Sequence, residues 1–234
     1  MKLKLLLPAV AVLATGCAIP TNPLQLELES LPEADKAYIV GKFITQCSGG
    51  MEGCTQRFNS IWASYSNTQL EGYSDIIQSR FGSIQDKDTE YDFIDPVAGE
   101  KGFYFCKAIP AGNYALTSFS YYSYGGGGHG FHSRKASPFE IPFSLKKGEV
   151  AYLGQLRLTV LFGAKNSLGI QDYQPGWLEL ATNAEQDISY AVAKCPVDVK
   201  VDEVSNKPLN PVLANSPLVI SGPASTQQGN PPAK

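Results

Sequence analysis

Between residues 36 and 181 the apolar side chains recur closer to every second position than to every 3.6. That is the spacing of half-buried strands. Residues 36–46 alternate loosely around Tyr38, Val40, Phe43 and Ile44. Residues 56–64 and 72–79 are further strand candidates, and 102–107 is rich in Phe and Tyr. Residues 113–124 form a long aromatic run. The stretches 137–145 and 149–162 flank a Lys146-Lys147-Gly148 turn, and 176–181 completes the set. β-Branched and aromatic residues suit a pleated surface. Many short strands separated by Gly, Pro, Asn and Asp predict a mainly β protein, a single antiparallel β-sandwich.

One segment has helical spacing. Thr182-Asn183-Ala184-Glu185 fits a capping box, and Ile188, Ala191, Val192 and Cys195 then share one face up to Pro196. This predicts a helix near 183–195. Outside the sandwich, predicted over 36–204, lie two irregular segments. Residues 17–35 carry three prolines and a Leu-Gln-Leu-Glu-Leu-Glu alternation, which reads as a tether with at most one short strand. Residues 205–234 hold Pro208, Pro211, Pro217, Pro223, Pro231 and Pro232, a composition that predicts a disordered tail. Only the Leu218-Val219-Ile220 triplet looks able to dock.

Charge narrows the partners. The basic residues are scattered, and the densest cluster is Lys146-Lys147. Nucleic-acid binding needs a concentrated positive face, so it is not expected.

The start of the chain carries an address. Lys2 and Lys4 precede an apolar run over 5–14 that is too short to span a bilayer as a helix, and Pro8 interrupts it. Leu13-Ala14-Thr15-Gly16-Cys17 resembles the lipobox of bacterial lipoproteins, with Ala14 standing where an aliphatic residue is usual. The resemblance implies a signal peptide over 1–16, lipidation of Cys17 and a membrane partner. Ala18, in place of Asp, implies the outer membrane, facing the periplasm or the cell surface.

Four further cysteines, Cys47, Cys54, Cys106 and Cys195, make an even number. In an exported chain that reads as disulfides. Cys47 and Cys54 flank a Gly-rich loop able to bring its ends together, so Cys106 pairs with Cys195 by elimination. The absence of a Cys-x-x-Cys pair argues against zinc.

Residues 103–114 are a strand followed by Pro110-Ala111-Gly112-Asn113-Tyr114, and 139–145 and 147–154 make a later pair. Together these two segments resemble transthyretin-like, or prealbumin-like, sandwich modules of uncharacterised bacterial lipoproteins. The resemblance implies a fold and carries no catalytic residue across.

The candidate sites are few. Tyr121, Tyr122 and Tyr124 run into Gly125-Gly126-Gly127-Gly128. Exposed there, they could stack on sugar rings or anchor a protein interface, although a long sandwich strand buries one face. His129 and His132 in the same loop are weak metal candidates. Asp86-Lys87-Asp88-Thr89-Glu90-Tyr91-Asp92 has oxygen ligands at alternate positions but no sharp-turn Gly and no late Glu, so a solvated acidic loop is the simpler reading. Trp62 and Trp177 read as packing residues. The chain has no Gly-x-Ser-x-Gly elbow. The expectation is a non-catalytic, lipid-anchored envelope protein with no cofactor, presenting its sandwich to another protein. The alternatives are a glycan- or peptidoglycan-binding module and a metal-binding lipoprotein.

Overall fold

Two β-sheets pack face to face, and a helix covers the outer face of the larger one. The computed structural model describes residues 22–47, 59–79, 91–123, 139–165, 167, 171–210 and 219–221. The strands are β1 (Ala37–Cys47), β2 (Asn59–Asn67), β3 (Ser74–Gln78), β4 (Phe93–Asp95), β5 (Glu100–Ile109), β6 (Gly112–Ser123), β7 (Ile141–Leu145), β8 (Val150–Lys165), β9 (Gln171–Ala181), β10 (Val204–Asn206) and β11 (Val219–Ser221). Helix α1 spans Pro23–Ser30 and α2 spans Ala184–Val192. The larger sheet runs β11-β9-β8-β1-β5-β4, with β10 also on β8, and the smaller runs β3-β2-β6-β7.

The alternating pattern explains the core between the sheets. Ile141, Phe143 and Leu145 of β7 point inward while Pro142 and Ser144 face out. Ile39 and Phe43 of β1, Phe105 and Ile109 of β5, and Leu156 and Leu158 of β8 meet Ile61, Tyr65, Tyr114, Leu116 and Phe119 of the smaller sheet. The larger sheet is buried on its other face too. There Tyr38, Val40, Val150 and Tyr152 pack under Ile188, Ala191 and Val192 of α2. The three helix residues are those predicted from the spacing.

The larger sheet is mixed, not purely antiparallel. β1 pairs antiparallel with β5 but parallel with β8, and β10 and β11 are also parallel to their neighbours. A parallel pair cannot be closed by a tight hairpin, and here β2 to β7 all lie between β1 and β8 in the chain. β4, β10 and β11 have only three residues each, too few to show a period in sequence.

The segment read as a tether is folded from Asn22 onward. It forms α1 and a 3₁₀ turn at Glu33–Asp35, not a strand. Asn22 Oδ1 accepts from the Leu24 amide at 3.0 Å, and Pro23 sits where its missing N–H costs nothing. Gln25 and Glu29 pair one turn apart at 3.0 Å. The Leu alternation therefore divides by helical angle, with Leu24 buried in the core and Leu26 exposed. The tail also contributes structure. β10 lies on β8, Leu209 enters the main core, and Val219–Ser221 pairs with β9 as the docking triplet suggested.

The capping box does not form. Asn183 is the N-cap of α2, and its side chain donates to Gln186 instead. The Tyr152 hydroxyl accepts from the Asn183 amide at 3.4 Å.

The sandwich has two distinct ends. At one lie α1, the turn after β2, the β5–β6 turn and the Lys146–Gly148 turn. They are tied by Asn22 Nδ2 to the Ser74 carbonyl at 2.7 Å, Thr68 N to the Asn113 carbonyl at 2.9 Å, and Lys147 Nζ to Asp35 at 3.1 Å. At the other end β1 finishes at Cys47 beside Val160, β2 begins at Asn59 beside Ser123, and β5 begins at Glu100 beside Gln46.

Candidate functional site

The densest set of functional side chains lies on the face of the larger sheet beneath α2. A break in the β8 alternation creates it. Val40 pairs with Tyr152 but Lys42 pairs with Gln155, so Leu153 and Gly154 together oppose Gly41. This is a β-bulge, and Gly154 supplies its left-handed backbone at φ +100°. The bulge puts Tyr152 and Gln155 on the same face, beside Lys42.

All three converge on Asp187 of α2, which is fully buried. Asp187 Oδ2 accepts from the Tyr152 hydroxyl at 2.8 Å and from Gln155 Nε2 at 2.6 Å. Asp187 Oδ1 has no hydrogen-bond donor of good geometry among the described residues, but the Lys42 ammonium lies 3.5 Å away. That contact is an ion pair without a well-directed hydrogen bond. The ammonium also sits over the Phe93 ring at 3.9 Å and the Tyr104 ring at 5.4 Å. Burial, first, and then the Asp187 charge push the Tyr152 hydroxyl well above the usual phenol range. It therefore stays a proton donor to the carboxylate. Burial likewise lifts Tyr104 to about 12, with Asp187, Tyr190 and Asp92 adding to the effect.

The same face continues with Arg157, whose Nη2 lies 3.2 Å from Glu100 and Nη1 3.9 Å from Glu179. Burial raises the Glu100 carboxyl above its ordinary value, against the pull of Arg157 and Lys42, while Asp95 and Glu179 raise it further. At the flank Tyr190 of α2 stacks on Tyr104 at 5.3 Å, and Lys194 pairs with Asp92 at 2.6 Å. Asp92 Oδ2 also accepts from the Tyr104 amide at 2.9 Å. This last residue of the acidic run thus ties the turn just after α2 to β5. A disulfide, Cys106–Cys195, joins the same turn to β5, as predicted, although the helix itself ends at Val192, short of the expected 195.

Chemically this arrangement positions α2. Asp187 has no exposed surface, and Tyr152, Gln155 and Lys42 surround its carboxylate. Sequence reading passed over all four residues. The signal was an acid within the apolar stripe of a predicted helix, where Asp187 directly precedes Ile188.

The predicted sites fall elsewhere. Tyr121 and Tyr122 lie in β6 opposite Ile61 and Ser60, with their side chains outside the description. Cys47 ends β1. Cys17, Cys54, Tyr124, His129 and His132 lie outside the described residues, as do Asp86, Asp88 and Glu90. Phe119 is core, and Trp62 is half-buried in β2. Among the described residues no three His, Cys, Asp or Glu side chains gather as metal ligands would, and no helix is long and apolar enough to cross a membrane. Comparison with protein-family models, curated proteins and solved structures returns no match.

Proposed function

We propose that this chain is an exported, lipid-anchored and non-catalytic sandwich, held at the outer membrane through Cys17, that presents a surface to another protein of the bacterial envelope. The observation that carries the reading is the Cys106–Cys195 disulfide. Such bonds persist in oxidising compartments and are rare in the cytosol. This one occurs in a chain whose residues 13–17 resemble a lipobox. The engagement of Asp187, Lys42, Tyr152 and Gln155 with one another supports a structural role for the strongest polar cluster. The finer reading of the fold, a transthyretin-like module, rests on residues 103–114 and 139–154. These fall on β5–β6 and on the β7–β8 hairpin. Within the Pro-x-Gly-x-Tyr stretch the Tyr114 hydroxyl donates to the Pro110 carbonyl at 2.8 Å, which fixes the crossing between the sheets.

Metabolic labelling with a tagged fatty acid tests the anchor. Label on the parent and none on Cys17→Ala is expected, and equal label on both would sink the reading. Crosslinking in intact cells tests the role. A discrete protein adduct is expected, whereas recovery of cell-wall fragments would move the reading to the glycan alternative.

A further inference from the structure

We infer that the α1 end of the sandwich lies against the phospholipid headgroup layer that holds the anchor, and that the opposite end is the one presented to partners. The inference rests on the Cys17 attachment proposed above and adds an orientation to it. Its physical basis is chain length. Asn22 is fixed to the domain, its side chain bonded both to the Leu24 amide and to the Ser74 carbonyl of β3. The residues from Cys17 to Asn22 can span at most about 18 Å when fully extended. A folded partner of even 100 residues, with a radius of gyration of ~13 Å, does not fit in such a gap. Headgroups and water do.

The surface at this end suits that contact. Leu26 of α1 is 51% exposed, and Leu70, in the turn between β2 and β3, is 46% exposed. Apolar side chains at an interfacial boundary gain by leaving water. The far end is separated by the ten residues of β5, a rise of roughly 33 Å. Val97, fully exposed in the β4–β5 turn, marks it. The chain leaves β1 after Cys47 and β6 after Ser123 at that same end, so the connections carrying Cys54, Tyr124, His129 and His132 start from the side away from the lipid.

The test uses the full lipidated chain in phosphatidylethanolamine vesicles, with a nitroxide introduced through a non-natural amino acid at position 26, 70 or 97. Collision with a water-soluble paramagnetic relaxer is read by electron spin resonance, against the same label in soluble Cys17→Ala protein. A loss of collisions at 26 and 70, with no change at 97, is expected. Protection at 97 with full access at 26 and 70 would overturn the orientation while leaving the anchor intact. Chains that fail to co-sediment with vesicles would overturn the anchor first, and the orientation with it. Circular dichroism of each labelled chain identifies any that fails to fold.

Discussion

The Tyr152 hydroxyl donates to Asp187 at 2.8 Å across 35 residues of chain, and this bond sets where α2 sits on the sheet. Tyr152 can reach because it stands on the helix-facing side of β8, and Gln155 can join it because the bulge at Gly154 returns that face to the alternation. The cluster is thus a product of a strand irregularity and of one acid in an apolar helix stripe.

Replacing Asp187 by Ala leaves Lys42, whose side chain is 12% exposed, without its ion-pair partner, and Tyr152 and Gln155 without their acceptor. Removing one partner of a buried pair costs about 3–5 kcal/mol. Urea unfolding of Asp187→Ala should show a loss of that order. The double variant Lys42→Met with Asp187→Leu should recover only the part due to the unpaired Lys42, because the buried Tyr152 and Gln155 donors still lack their acceptor. A single variant as stable as the parent would mean that Lys42 escapes to solvent.

The Cys106–Cys195 bond closes a loop with a sequence separation of 89. In a chain-entropy treatment such a loop contributes about 4.6 kcal/mol through the unfolded state. Reduction, or Cys106→Ser with Cys195→Ser, should therefore lower the unfolding midpoint strongly, and α2 should gain amide exchange before the strands do. Unreduced peptide mapping that recovers both cysteines as free thiols would contradict the pairing.

Sequence periodicity carried most of the strand content, because a sheet with one face on a core must alternate. It located the segments of β1, β3, β5, β6 and β8 to within a few residues, and the apolar stripe of α2. It failed where a different physical term decides. The Leu24-Leu26-Leu28 alternation suggests a strand, yet Asn22 and Pro23 start a helix at that point. Parallel pairing depends on the crossover path, which leaves no local trace. Thr182 fits a capping box in sequence, but the helix starts one residue later, with Asn183 as its N-cap. The Asp187 cluster was half legible, since the acid could be seen and its partners could not. The loop sites at Tyr124, His129 and His132 lie outside the described residues and stand as they did.

Gly154→Ala should be more harmful than Gly72→Ala. Both glycines have positive φ, +100° and +79°, so both substitutions carry backbone strain. A Cβ at Gly72 meets open space, whereas at Gly154 it comes within 2.8 Å of the Ala181 carbonyl. Strain of this kind costs on the order of 1–3 kcal/mol, and the clash adds to it at Gly154 alone. Thermal unfolding of the two variants side by side measures the difference. Equal losses would mean that the bulge yields without disturbing β9.

The acid limb of stability should depend on Glu149. Burial alone would raise its carboxyl, but hydrogen bonds from Lys207, the Lys146 amide and Ser205 outweigh that and hold it below the ordinary 4.5. A depressed carboxylate contributes stability that is present above its unfolded value and is lost as pH falls through its folded value. Glu149→Gln should therefore be less stable than the parent near neutrality, and the gap should begin to close near about pH 4, the ordinary carboxylate range, and vanish only below the lowered folded value. Curves that stay parallel down to strong acid would remove Glu149 from the acid transition. Glu100, raised by burial, acts with the opposite sign: its contribution is present below the unfolded value and fades as pH rises through the folded one.

Lys107→Met should promote self-association. Among the described residues β3 is an edge strand of the smaller sheet, paired only with β2, and an open edge is a template for another chain. Side chains occupy several of its outward groups. Asn22 Nδ2 holds the Ser74 carbonyl at 2.7 Å, Lys107 Nζ holds the Ile76 carbonyl at 2.8 Å, and Asp75 Oδ1 takes the Ile76 amide at 2.8 Å. Lys107 also pairs with Asp75 at 2.7 Å, so it neutralises the acid that masks the amide. The methionine keeps the length of the stem but frees the Ile76 carbonyl beside an exposed isoleucine. Light scattering after size-exclusion chromatography should show concentration-dependent oligomers of Lys107→Met, and Lys107→Arg, which retains a donor, should remain like the parent. Association by both variants alike would mean that neither the charge nor a donor at position 107 guards this edge.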